Sequence, residues 1–220
     1  MKVFSYSNIG RRDVNQDFLI SQELREGLSI HLVADGIGGY DCGEIASKVV
    51  AESFADSFNQ GLSIIEATHE ATKRIKIIRH NLGVSKMGST VAGVLINNFN
   101  AEIFWAGDSR VYVFRDNIQL YRTEDHSVVN ELSRVRQLSF EEKERYNHII
   151  TRSIMGCITD EVDIYSLILQ PKDEILICTD GIYRECPIDY LIESIRDDYF
   201  DLDKQNDRFV DNHSLVYISL

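Results

Sequence analysis

Three apolar, strand-like runs in this chain each stop on an aspartate: "LVADG" at Asp35, "FWAGDSR" at Asp108 and "ILICTDGIY" at Asp180. Asp17 heads the run "DFLIS", and Asp211 stands just before "HSLVYISL". An aspartate beside a glycine is by itself an ordinary turn pair. Repetition of the same context changes the reading. If these strands are neighbours in one sandwich, their carboxylates converge at one end of the core, where like charges repel and each ion is costly to desolvate. Such a set needs cations or protons, and metal ions are the economical answer. The donors are oxygens, with no histidine or cysteine at the strand ends, and carboxylates with carbonyls and water suit Mg²⁺ or Mn²⁺ rather than Zn²⁺. Gly36 and Gly181 follow two of the acids, and a glycine there lets a backbone carbonyl approach an ion without a side chain in the way. Two such ions about 4 Å apart can activate a water for in-line attack at phosphorus. A guanidinium would then hold the phosphate oxygens, and "GRRDVNQD" offers Arg11 and Arg12 just before Asp17.

The elements that must position these groups are legible in the spacing. Segments rich in Val, Ile, Phe and Tyr recur near 2–6, 17–23, 28–35, 90–97, 100–107, 110–115, 118–122, 162–168, 174–179 and 213–219, which predicts ten strands. The short links "NNFN" and "RDN" predict antiparallel hairpins. Between the third and fourth strands, Ile45, Ala46, Val49, Val50, Phe54 and Phe58 fall at helical spacing with Gly61 as terminator, and Ile64, Thr68, Ala71, Ile75, Ile78 and Leu82 do the same after Ser63 as N-cap. Shorter helices are predicted at 127–134, 139–145 and 187–197, the second opened by the capping-box pattern "SFEE". Strands flanking a helical pair predict two antiparallel sheets packed face to face with helices outside.

Bulk properties narrow the function classes. A chain of 220 residues, 44% hydrophobic and 26% charged, is expected to form one domain. A formal net charge of -12 argues against nucleic-acid partners and anionic membrane surfaces. Cys42, Cys157, Cys178 and Cys186 form no CxxC pair, so neither a zinc site nor a disulfide framework is indicated. No apolar run reaches the ~18 residues of a membrane span, and a cytoplasmic location is the expectation.

Eight motifs in order, "GRRDVNQD", "VADGIGGYDCGEIAS", "GSTVAGVLI", "WAGDSRVYVFRD", "TEDHS", "ITRSIMG", "ICTDGIY" and "DNHSLVYI", resemble those of the metal-dependent PP2C-type protein phosphatases, the PPM family, in its bacterial form. The resemblance implies an α+β fold, a four-layer α-β-β-α sandwich of two antiparallel sheets flanked by helices, as a single catalytic domain over residues 1–220. It implies a Ser/Thr protein phosphatase with two or three Mn²⁺ or Mg²⁺ ions, hydrolysing phosphoserine and phosphothreonine by direct attack of a metal-activated water. Carried over position by position, Arg12 resembles the phosphate-binding arginine. Asp35 resembles the acid shared by both ions, Gly36 the carbonyl ligand beside it, and Asp180 and Asp211 the remaining acids on the metals. Asp17 resembles an acid reaching the metals through water, and Asp108 one that helps bind a third ion. Asn212 completes the family's DN pair.

This chain departs from the eukaryotic pattern at Ile37, where histidine is common, and at Gln16, where glutamate is common. The proton donor to the leaving group is therefore unassigned: water on the metals is the first candidate and His126 the alternative. The segment "SRVRQLSFEEKERYNH" reads as a solvated helical hairpin, or as a substrate-facing surface with Arg134 and Arg136 as contacts. The expected partners are phosphorylated proteins, targets of a Ser/Thr kinase, met by a monomer. The alternatives are a pseudophosphatase acting as a binding module, and a phosphatase dedicated to one phosphoserine regulator of a bacterial stress switch.

Overall fold

The β-branched and aromatic segments form ten strands in the computed structural model, which describes residues 1–37, 42–197 and 209–220. They are β1 (Lys2–Asn8), β2 (Asp17–Arg25), β3 (Leu28–Asp35), β4 (Val91–Asn97), β5 (Asn100–Ala106), β6 (Arg110–Arg115), β7 (Ile118–Arg122), β8 (Asp163–Ile168), β9 (Glu174–Cys178) and β10 (His213–Ser219). The helices are α1 (Gly43–Asn59), α2 (Ile64–Leu82), α3 (Val128–Val135), α4 (Phe140–Tyr146), α5 (Asp180–Glu185) and α6 (Ile188–Arg196). Part of the "GIGGYD" motif segment, residues 38–41, lies outside the described residues.

The strands make two antiparallel five-stranded sheets, ordered β1-β10-β9-β6-β7 and β2-β3-β4-β5-β8. Their inner faces meet through Val33, Ile103, Val111, Ile177 and Val216, all fully buried. On the outer face of the second sheet, α1 and α2 bury Phe54, Phe58 and Ile75, with Phe54 stacked on Phe104 of β5 at 4.9 Å between ring centroids. On the outer face of the first, Ile182, Leu191 and Ile192 of α5 and α6 pack on Leu176, Leu215 and Tyr217. The expected α-β-β-α layering is thus present. Each layer is apolar where period-2 or period-3.6 spacing put its hydrophobic residues.

Local chemistry sets the element ends. Ser63 and Glu66 form a reciprocal capping box at the start of α2, and Gly83 closes that helix with φ +67°, a conformation an L-residue adopts at a cost. Ser139 and Glu142 do the same for α4. Asp116 and Asn117, at φ 51° and 64°, make the tight turn between β6 and β7, where two positive φ values match the twist of the paired strands. Two readings need correction. Leu82, the last residue of α2, is 46% exposed rather than core. The "DGIYRE" stretch, for which no helix is predicted above, forms α5; six residues are too few to show helical periodicity, and an acid in the first turn suits the helix dipole.

Neither α3 nor α4 contributes a buried residue. Arg134 and Arg136 are engaged within this hairpin region, with Glu124 at 2.7 Å and Glu142 at 2.6 Å. Among the described residues no helix is long and apolar enough to cross a membrane.

Sheet register brings the aspartates together. β2 and β3 pair so that Asp17 lies directly opposite Asp35. Cys178, at the end of β9, pairs with Leu215 of β10 on one side and Arg110 of β6 on the other. Asp180, Asp211 and Asp108 therefore leave the first sheet at a common end.

Candidate metal centre

The backbone at Asp35 is fixed by the "GST" motif of residues 88–90. Its N–H donates to Thr90 Oγ1 at 3.0 Å, and its carbonyl accepts from the Thr90 N–H at 2.8 Å and the Ser89 hydroxyl at 2.9 Å. The Ser109 hydroxyl, next to Asp108, hydrogen-bonds Thr90 Oγ1 at 2.8 Å, so one threonine links two of the acid-bearing loops. Gly36 donates its N–H to the Gln16 carbonyl at 3.0 Å. A Cβ at position 36 would lie 2.2 Å from the Gly43 carbonyl oxygen, so contact with the start of α1 requires glycine here.

Asp17 is buried beside Thr179, whose hydroxyl donates to Asp17 Oδ2 at 2.8 Å. The same threonine oxygen accepts the Ser214 N–H at 3.0 Å, tying the end of β9 to the start of β10. Asp17 Oδ1 is buried and has no hydrogen-bond partner. An orphaned buried carboxylate oxygen is costly, and here it faces a cluster of other acids.

Arg12 grips Asp211 bidentately, Nε to Oδ1 at 2.9 Å and Nη2 to Oδ2 at 2.7 Å. Asp211, Asp180 and Asp35 all raise the pKa of its guanidinium, which places it beside the cluster. The loop carrying Arg12 is held by Asn212. Its Oδ1 accepts the Gln16 N–H at 2.8 Å, and its Nδ2 donates to the Ile9 and Val14 carbonyls at 2.8 and 3.1 Å. All three hydrogens and lone pairs used here point into one loop.

Asp108 and Asp180 share a cation that the sequence reading did not single out. Arg184 places Nη2 3.3 Å from Asp108 Oδ2 and Nη1 3.1 Å from Asp180 Oδ2. Only the i, i+4 spacing of Asp180 and Arg184 was visible beforehand, and it signals a pair only once the segment is known to be helical.

The electrostatics of the five acids are mutual. Burial, and then Asp17, Asp180, Asp108 and Asp211, push the Asp35 carboxyl well above its usual range. Burial followed by repulsion from Asp180 and Asp211 takes Asp17 up to about 7, against its hydrogen bonds from Ser214 and Thr179. Burial and Asp180 take Asp108 to about 7, with Arg184 opposing. Burial also raises Asp180, with Arg184 again opposing. Two guanidiniums face five carboxylates, so the cluster remains short of positive charge. Its donors are all oxygen, one of them orphaned, and this fits hard divalent cations. Among the described residues no three acids, histidines or cysteines stand ready-grouped around a single point; Arg12 and Arg184 hold three of the acids.

His126 is committed elsewhere. Its Nδ1 accepts the Gly107 N–H at 3.2 Å, its Nε2 faces Asp163 at 3.0 Å, and its ring stacks on Trp105 at 5.9 Å. An Nδ1 that accepts from a backbone N–H is unprotonated, so Nε2 carries the hydrogen and gives it to Asp163. Burial lowers the pKa of this imidazole, and both its nitrogens are engaged. A hollow of about 400 Å³ lined by Lys2, Phe4, Glu174, Arg196 and Tyr217 lies at the opposite ends of β9 and β10 from the acids.

The sequence matches the family model described as protein phosphatase 2C over residues 5–215. It is 30% identical to the protein phosphatase PhpP of Streptococcus pneumoniae, over 83% of this chain and 79% of that protein. The fold superposes on the serine/threonine phosphatase of S. agalactiae with a TM-score of 0.83 at 25% identity, covering 98% of each chain. It also matches the catalytic domain of the serine/threonine protein phosphatase PstP in complex with two manganese ions, with a TM-score of 0.80 at 22% identity over 98% of this chain and 96% of that one.

Proposed function

The chain belongs to the protein phosphatase 2C family and is a metal-dependent serine/threonine protein phosphatase; from that premise we propose that Arg12, Asp35, Gly36, Asp180 and Asp211 carry the activity. The observation that carries this reading is the convergence of five strand-end acids with Arg12 beside them. Asp35, Asp180 and Asp211, with the Gly36 carbonyl, would hold two Mn²⁺ or Mg²⁺ ions, and Asp17 would act from behind them. Bound there, the ions supply Lewis-acid polarisation of the phosphoryl group and make the attacking water more acidic.

The chain's own residues do the rest. A phosphoryl group presents a pair of oxygens much as the Asp211 carboxylate does, so the bidentate grip of Arg12 on that acid is the grip a phosphate needs. The Asn212 clamp sets where that guanidinium sits. Ile37 has no proton to give and His126 is bound at both nitrogens, so the departing serine or threonine oxygen takes its proton from water in the site. The substrates are phosphorylated proteins.

The test is hydrolysis of a phosphothreonine peptide with Mn²⁺ and after chelation. The parent should require the metal, and Asp180→Asn should lose activity by a factor of a hundred or more, of the order seen when one group stabilising the transition state is removed. An Asp180→Asn variant as active as the parent would rule out the assigned mechanism.

A further inference from the structure

We propose that Arg184 occupies the place of a third metal ion: its guanidinium serves as the fixed counter-charge for Asp108 and Asp180, and the chain binds no divalent cation between those two acids. This rests on the reading of Asp35, Asp180 and Asp211 as the ligands of the main centre.

The geometry makes the arginine a built-in part. One turn of α5 carries Arg184 from Asp180 back onto the same face, with Nη1 3.1 Å from Asp180 Oδ2 and Nη2 3.3 Å from Asp108 Oδ2. A single guanidinium thus spans two acids delivered by different strands. The frame around it is rigid. The neighbouring Tyr183 donates its hydroxyl to the Asp108 carbonyl at 3.0 Å. The Arg110 guanidinium lies 3.5 Å over the Tyr183 ring and is anchored to Asp125 by bonds of 2.7 and 2.6 Å. The start of α5 is fixed through Thr179, whose N–H donates to the Ser214 carbonyl at 3.0 Å.

Charge leads to the same result. Asp108 is only 7% exposed, and a buried carboxylate needs a counter-ion; Arg184 provides one without drawing on solution. A divalent ion entering between Asp108 and Asp180 would sit against a guanidinium already in contact with both, and like charges at that range repel. Arg184 is permanently charged at any pH where the protein is folded, so this counter-charge is independent of metal supply.

The experiment counts ions. Mn²⁺ bound per chain is measured by equilibrium dialysis and metal analysis up to millimolar Mn²⁺, for the parent, Asp108→Asn, Arg184→Gln, Arg184→Lys and the Arg184→Gln/Asp108→Asn double variant. The expected results are equal counts for the parent, Asp108→Asn and Arg184→Lys, and one additional weak ion for Arg184→Gln that the double variant loses. A parent count that falls by one on Asp108→Asn overturns the proposal, and so does an Arg184→Gln count equal to the parent's. The Asp108→Asn comparison decides the matter even if Arg184→Gln does not fold. A parent that binds no Mn²⁺ at all overturns the reading of the main centre instead.

Discussion

Replacing Asp35 by asparagine should make the protein more stable without metal and remove its response to metal. Asp35 is surrounded by acids, and Asp17, Asp180, Asp108 and Asp211 all disfavour its ionisation. The scale of the strain can be read at Asp17, directly opposite on β2, which rises from 3.8 to about 7. At 1.36 kcal/mol per pH unit that is a cost on the order of 4 kcal/mol, led by burial with neighbouring acids as the smaller part. Removing one acid should return about 1–2 kcal/mol. In EDTA the variant's melting temperature should then rise by roughly 2–8 °C, at about 2–4 °C per kcal/mol for a chain of this size. With Mn²⁺ at a hundred times the parent's Kd, the parent gains about 2.7 kcal/mol, or roughly 5–11 °C. A variant that binds a hundredfold more weakly sees Mn²⁺ only at its own Kd and gains RT ln 2, about 0.4 kcal/mol, which is near the limit of detection. Differential scanning fluorimetry of both proteins in EDTA and across an Mn²⁺ series gives all four numbers. An Asp35→Asn variant that keeps the parent's Mn²⁺-dependent shift would refute the assignment of this acid to the metals.

Asn212→Ala removes three hydrogen bonds into the loop that carries Arg12, and should cost about 2–4 kcal/mol in urea unfolding and raise KM for a phosphothreonine peptide roughly tenfold. Arg12→Ala and the double variant complete a cycle on KM; if Asn212 acts by placing Arg12 the two effects overlap, and full additivity would defeat that explanation. A third prediction concerns acid stability. His31 is buried between the hydroxyls of Ser21, at 2.8 Å, and Ser29, at 3.0 Å, and burial lowers its pKa to about 4. Above the ordinary 6.5 both states are neutral; below it the unfolded chain takes the proton first, so stability falls as pH drops from 6.5 towards 4, by about 3 kcal/mol in all. Urea unfolding at pH 7 and pH 4.5 should show the parent losing roughly 2–3 kcal/mol more than His31→Gln, and equal losses would show that His31 titrates normally in the fold.

The positions of the strands, the two long helices, the Ser63 N-cap and the Ser139 capping box were legible because each is written in neighbouring residues. Ser139 and Glu142 are three apart, and the apolar run that makes β3 or β10 needs only its own eight or seven residues. The acids at strand ends were legible for the same reason: a carboxylate closing an apolar run is a local anomaly. The helix α5 was not, since six residues carry too little period.

The sequence by itself therefore determined which residues could bind an oxygen-loving cation and at which ends of which strands they would stand. The tertiary structure alone decided which acid meets which partner. Arg12 reaches Asp211 across 199 positions, Thr179 reaches Asp17 across 162, and Arg184 reaches Asp108 across 76. Such pairings depend on strand order and register, β10 beside β9 and Asp17 opposite Asp35. Register is a property of two strands at once, set by how their apolar faces share a core, and no single stretch of chain contains it.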